Sequence, residues 1–268
     1  MPRVLRRTLP LLLLIFLVAY AFPASAGATT DLTIPQARAR VLQLINAERT
    51  NLHLVPVRND KRLANVAQAR SNDMAQNHYF AHLPPSKLVA MVEAQGITWY
   101  KLGEILAKND YPTLADSAAA AIEGWRGSST HWDIITSTDF NYAAVGLALE
   151  PGTSNKIWTV EFLKGPDRTG ARAWFGSVTP GAVSGTNRNV TVSWDGKDIK
   201  LSVLTAGLKN FDLQKQLDGG AWVDVLKAST ARQKVVSLPV GHSATFRIRA
   251  RDKKGNAGYW VLSAASTL

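Results

Sequence analysis

Apolar residues recur at helical spacing through the first half of the chain and at alternating spacing through the second. Ala37, Val41, Leu44 and Ile45 fall on one face of a helix expected over residues 33–50. Thr33 and Gln36 supply a capping box around Pro35, whose fixed φ suits a first turn. A second helix starts at Asn59 or Asp60 and carries Leu63, Val66, Ala67, Arg70 and Met74 near one stripe. Pro84 and Pro85 break the chain, and residues 86–95 form a shorter helix closed by Gly96. Residues 98–107 are ambiguous, partly strand-like. Leu114, Ala118, Ala121, Ile122 and Trp125 mark the buried side of a helix over residues 113–125. Ser128 or Ser129 caps another short helix that carries His131, Ile134 and Ile135.

The period then changes to two. Residues 142–149 and 157–163 flank Pro151-Gly152-Thr153-Ser154-Asn155, a hairpin signature. Helices followed by an antiparallel sheet predict an α+β domain closing near Lys164. Residues 165–189 are rich in Gly, Thr, Ser and Pro and read as a linker, with Ala173-Trp174-Phe175 placed to dock on a neighbour. Short strands follow at 190–194, 211–217, 221–226, 235–238, 244–250 and 259–262, the spacing of a β-sandwich. The chain therefore divides into residues 1–26, 27–165, 166–178 and 179–268.

Residues 1–26 have the form of an export signal. Arg3, Arg6 and Arg7 precede an apolar run over residues 9–22, broken only by Pro10, and Ala24-Ser25-Ala26 offers a cleavage site. The run is short for a membrane span. Losing those three arginines takes the formal charge from +11 to +8. A secreted or envelope-associated basic protein can meet anionic wall polymers or lipid headgroups, with only peripheral membrane contact after cleavage. No basic run is interleaved with aromatics, so nucleic acid is not an expected partner. The absence of cysteine excludes thiol catalysis, iron–sulfur clusters and cysteine-ligated zinc.

The chemistry concentrates in the first domain. Asn77-His78-Tyr79-Phe80-Ala81-His82 and Gly124-Trp125-Arg126-Gly127-Ser128-Ser129-Thr130-His131 bracket Gly103-Glu104-Ile105-Leu106-Ala107. Imidazoles and a carboxylate are the side chains that hold a divalent metal or pass protons near neutral pH. A helical continuation from His78 would bring it onto one face with His82.

The order of short motifs over roughly residues 35–164 resembles the CAP superfamily (cysteine-rich secretory proteins, antigen 5, pathogenesis-related 1), in its cysteine-free bacterial branch. The pieces are Asn46-Ala47-Glu48-Arg49, Leu63 to Met74, Tyr79-Phe80-Ala81-His82, Gly103-Glu104, Trp125 with Ser128 and His131, Val145-Gly146, and Trp158-Thr159 with Phe162. The resemblance implies an α-β-α sandwich whose cleft is lined by His82, Glu104, Ser128 and His131. A second cleft glutamate, present in animal and plant members, is replaced here by Ser128. Glu123 stands about 140° away around the helix and does not substitute for it. Ile105 replaces a usual asparagine and implies a drier cleft floor.

The resemblance leaves three functions open. One is non-enzymatic binding of a lipid, sterol, metal ion or anionic envelope polymer. Another is metal-assisted hydrolysis of a peptide or cell-wall substrate, with Glu104 or a bound water as base. The third is a structural role with a vestigial cleft. A divalent metal such as zinc would take His82, His131 and Glu104 as its ligands. Ser128 or Ser129 as a nucleophile with His131 as base would lack an orienting third group.

The segment 244–260 resembles the last hairpin of a fibronectin type III domain. Phe246, Ile248 and Ala250 would face a core, with Arg247, Arg249 and Arg251 turned to solvent and Trp194 between the sheets. The resemblance implies an immunoglobulin-like adhesion or spacer module.

Overall fold

The computed structural model describes residues 31–267; the export signal read at residues 1–26 lies outside them. Five helices and four strands build the first part. In chain order they are α1 (Ile34–Asn51), β1 (Arg58–Asn59), α2 (Lys61–Gln76), α3 (Pro85–Ala94), β2 (Lys101–Asn109), α4 (Leu114–Arg126), α5 (Ser129–Thr136), β3 (Tyr142–Leu149) and β4 (Lys156–Lys164). The capping box expected at Thr33 and Gln36 is formed, and the Asp60 side chain caps α2 through the amides of Arg62 and Leu63.

The sheet runs β1-β3-β4-β2, antiparallel except for the short parallel pairing of β1 with β3. Strands β3 and β4 are buried on both faces, so their side chains divide between two apolar layers. Val145, Leu147, Trp158, Val160 and Phe162 join Ala37, Val41 and Ile45 of α1 and Ala118, Ile122 and Trp125 of α4. The alternate residues Tyr142, Ala144 and Leu163 meet Leu63 and Val66 of α2 on the other face. This is an α-β-α arrangement. Gly146 permits its tightest approach, since a Cβ there would lie 2.1 Å from the carbonyl oxygen of Ala67 in α2.

The second part is all β, in two antiparallel sheets. Strands β5 (Arg172–Ser184), β6 (Asn187–Lys197) and β9 (Gln233–Pro239) form one in the order β5-β6-β9. The other has β7 (Leu208–Leu217), β8 (Val223–Ser229), β10 (Ser243–Asp252) and β11 (Val261–Leu262) in the order β11-β10-β7-β8, with β12 (Ser266–Thr267) also on β10. Phe246, Ile248 and Ala250 are fully buried as the alternation requires, and Trp194 packs edge-on against Phe211. Arg247 is stacked between Trp222 and Trp260, and Arg249 and Arg251 share Asp212, so the arginine row is occupied by its own neighbours.

Residues expected as linker are structured. The segment 172–184 pairs with β6, although its composition reads as loop, because Gly176 lets Ser193 come close and irregular registers absorb the mismatch near Pro180. The short connection before it is also tied down. The Arg168 amide donates to the Tyr142 hydroxyl at 2.8 Å, and its guanidinium pairs with Asp60. Beyond β6, Leu201 is buried with Leu63, Val66, Tyr142 and Leu163, and the Ser202 hydroxyl donates to the Thr138 carbonyl at 2.9 Å. The β region is docked on the α-β-α region through this loop. Among the described residues, no helix is long and apolar enough to cross a membrane.

Candidate functional site

Glu104 sits on β2, at the edge of the first sheet, and its carboxylate is 5% exposed. Its Oε1 accepts from Arg70 Nε at 2.8 Å, and its Oε2 lies 2.6 Å from His82 Nδ1. The long arm of Arg70 is itself fully buried on α2. Its other nitrogens donate to the Tyr79 hydroxyl at 3.0 Å and to the Ala81 carbonyl at 2.8 Å. Arg70 therefore holds both the carboxylate and the segment that delivers His82. Burial lowers the affinity of this guanidinium for its proton, but the bonds to Glu104 and Tyr79 prevail and raise its pKa.

His131 reaches the cleft from α5. Ser128 is the residue before that helix and makes no capping bond with its hydroxyl. The far end of α5 is held by Arg49, whose Nη1 donates to the carbonyls of Ile135 at 2.7 Å and Ser137 at 2.8 Å. The His131 pKa is lowered by burial first and by the charge of His82 second. His82 is joined to Glu104 at the edge of the sheet, and Ser128 and His131 line one groove.

A groove of ≈ 520 Å³ opens from His131 and Ser128. Phe80, Leu106, Tyr111, Ala120 and Trp125 give it apolar walls, and Lys108 and Glu123 stand at its margin. A larger hollow of ≈ 840 Å³ runs along α1 and shares none of these residues. Ile105 does not floor the cleft. Strand alternation turns it to the opposite face, among Val41, Trp125 and Val160, while Glu104 and Leu106 face the other way. Helix α2 ends at Gln76, so His78 does not share a helical face with His82; it lies 3.6 Å from Glu150 instead.

The donor set offers little to zinc as arranged. Both Glu104 oxygens are engaged, and among the described residues the three side chains do not bring ligand atoms within 4.8 Å of one another. Glu104 fits the role of the carboxylate that orients an imidazole, which leaves two histidines as the remaining donors.

Two participants were not singled out from the sequence. Arg70 stood in the apolar stripe of its helix, and a long cation on a buried face is itself a sign of a buried anion. Glu161, in the otherwise apolar strand β4, is fully buried and directly opposite Glu104 in the strand register.

Residues 42–162 match the cysteine-rich secretory protein family, CAP, and this stretch is a CAP domain. Bacterial proteins are among those similar to it. The Bacillus subtilis (strain 168) protein YkwD is 29% identical over 148 residues, 53% of this chain and 54% of that protein. The membrane protein YlbC of the same organism is 30% identical over 129 residues, 47% of this chain and 34% of its own length. The chain thus spans about half of one curated relative and a third of the other. Among solved structures, an outer surface protein of Borrelia burgdorferi is similar at 17% identity and a TM-score of 0.43, over 50% of this chain and 97% of that one. An extracellular SCP-domain protein of Bacillus anthracis is similar at 24% identity and a TM-score of 0.42, over 50% and 44%.

Proposed function

We propose that this is an exported binding protein whose cleft takes an amphiphile, with a polar head at His82 and His131 and an apolar body along the groove. The observation that carries the reading is the apolar groove opening directly from His131 and Ser128. Few convergent polar groups beside a larger apolar wall are the usual make-up of a small-molecule site. The pairing of Glu104 with Arg70 and His82 supports binding over hydrolysis, since it suits a carboxylate that orients an imidazole.

The strand orders β5-β6-β9 and β11-β10-β7-β8 support the fibronectin type III-like reading of the second part. Its contacts through Arg168, Leu201 and Ser202 support a docked module in place of a swinging spacer.

Titration calorimetry of the full chain with dodecyl phosphate tests the cleft. Saturable binding is expected, lost in His82→Ala/His131→Ala and weakened in Ala120→Trp, which fills the groove wall. Binding indifferent to both variants, or chelator-sensitive turnover of a wall peptide, overturns the reading.

A further inference from the structure

Arg247, Arg249 and Arg251 occupy alternate positions of β10, on the face opposite the buried Phe246, Ile248 and Ala250. Strand register sets Gln214 and Asp212 of β7 across from Arg247 and Arg249, and Leu262 of β11 across from Arg247 on the other side. Two indoles close over the row. The guanidinium carbon of Arg247 lies 4.3 Å from the ring centroid of Trp222 and 4.6 Å from that of Trp260, and Arg249 lies 4.5 Å from the second ring. The three arginines and both tryptophans are half-buried, whereas Leu262 is 62% exposed.

These neighbours fix the row without neutralising it. Asp212 serves both Arg249, at 2.8 Å, and Arg251, at 3.0 Å. Asp224, across from Gln214 on β8, is taken by Lys227 at 2.8 Å. Arg247 has no acidic partner among the described residues, so the face carries more positive than negative charge. Its Nε donates to Gln214 Oε1 at 2.7 Å, and its two outer nitrogens donate to no described residue. Those nitrogens form a planar fork that matches a carboxylate. Stacking between the indoles has already removed rotamer freedom that binding would otherwise cost.

We propose that this sheet face is a second binding surface, which takes an acidic polysaccharide with a sugar carboxylate on the Arg247 fork and the apolar face of the ring against Leu262 and the indoles. Positive charge facing a polyanion is the complementarity that selects such a partner. The apolar flank decides for a sugar acid over a bare polyanion, because a phosphate chain would use the fork and leave Leu262 idle. Arg249 and Arg251 continue the row at about 7 Å per step along the strand, so further acidic units of one polymer meet further guanidiniums. The surface uses neither His82 nor His131, and it stands or falls apart from the cleft.

Titration of the full chain with polygalacturonate, beside inorganic polyphosphate as a bare polyanion, tests the surface. Arg247→Lys keeps the charge but loses the fork, and should weaken polygalacturonate binding about tenfold, the worth of a hydrogen bond to a charged group. Lys87→Gln removes one charge from the exposed start of α3 and should leave that binding near the wild-type value. Leu262→Ser should weaken polygalacturonate and leave polyphosphate unchanged. In the wild type, the NMR signal of the Arg247 Nε–H should shift as the polymer saturates the protein. No binding of polygalacturonate overturns the proposal, as does an equal loss in Arg247→Lys and Lys87→Gln, which would make the attraction one of bulk charge. Equal effects of Leu262→Ser on both polymers overturn the sugar assignment. An unmoved Arg247 signal at saturation overturns the site, and this readout needs no variant to fold.

Discussion

Arg70 and Glu104 are joined at 2.8 Å across the interface between helix α2 and strand β2, 34 residues apart in sequence. The guanidinium is fully buried and the carboxylate nearly so, so each supplies the other's counter-charge out of contact with water. Arg70→Met keeps the apolar stem but leaves Glu104 and Glu161 facing each other with no cation between them. Removing one partner of a buried pair costs about 3–5 kcal/mol, and urea denaturation should show a loss of that size. Arg70→Lys should recover only part of it, because an ammonium cannot hold Glu104, Tyr79 and Ala81 in one planar fork. A methionine variant as stable as the wild type would mean the pair contributes nothing net.

The close seating of α2 on β3 depends on a missing side chain. A Cβ at position 146 would fall 2.1 Å from a backbone oxygen of Ala67, which cannot rotate away. Gly146→Ala should therefore destabilise by about 3 kcal/mol or more, at the upper end of overpacking effects, through displacement of α2. Because α2 carries Arg70, the His82 NMR signals should move as well. A change within about 0.5 kcal/mol, typical of a surface site, would show that the helix has room to shift freely.

The histidines and Glu104 were legible in the sequence because short motifs in a fixed order mark them. Their bonding was less so, since it depends on strand register. Glu161 falls in the run Trp158 to Phe162, and only pairing with β2 reveals that it opposes Glu104. Ile105 was misplaced because residues 98–107 read ambiguously; once they are a strand, adjacent residues must face opposite ways. The strand over residues 172–184 was hidden by its Gly, Ser, Thr and Pro content, which local propensity reads as loop and pairing with β6 overrides. The alternation of Phe246, Ile248 and Ala250 was plain, because one face of that strand is core.

Acid should act on the cleft through His131. Its pKa is lowered from the usual 6.5, by burial and then by His82, so the unfolded chain takes up a proton before the native state does. The stability this residue contributes is complete above about pH 6.5 and declines as pH falls through the native value. His131→Asn, which does not titrate, should lose that part of the acid sensitivity. The NMR titration midpoint of His131 in the wild type should lie below 6.5. A midpoint above that value would mean the protonated ring is stabilised in the cleft.

Leu201 is the contact through which the β region should stabilise the CAP domain. It is 2% exposed and packs against Leu63, Val66, Tyr142 and Leu163, none of which belongs to its own sandwich. Ser202 beside it accepts from Arg49 at 3.4 Å, and Arg49 in turn holds the end of the helix that carries His131. Leu201→Ala should cost about 2–5 kcal/mol, as large-to-small changes in packed cores do. A coupled pair of domains unfolds together, whereas weakening the joint lets the less stable one unfold first. Calorimetry should accordingly show one transition in the wild type and two in Leu201→Ala, the earlier accompanied by loss of the His131 signals from their native positions. Two transitions already present in the wild type, unchanged by the substitution, would make the contact a resting place without energetic weight.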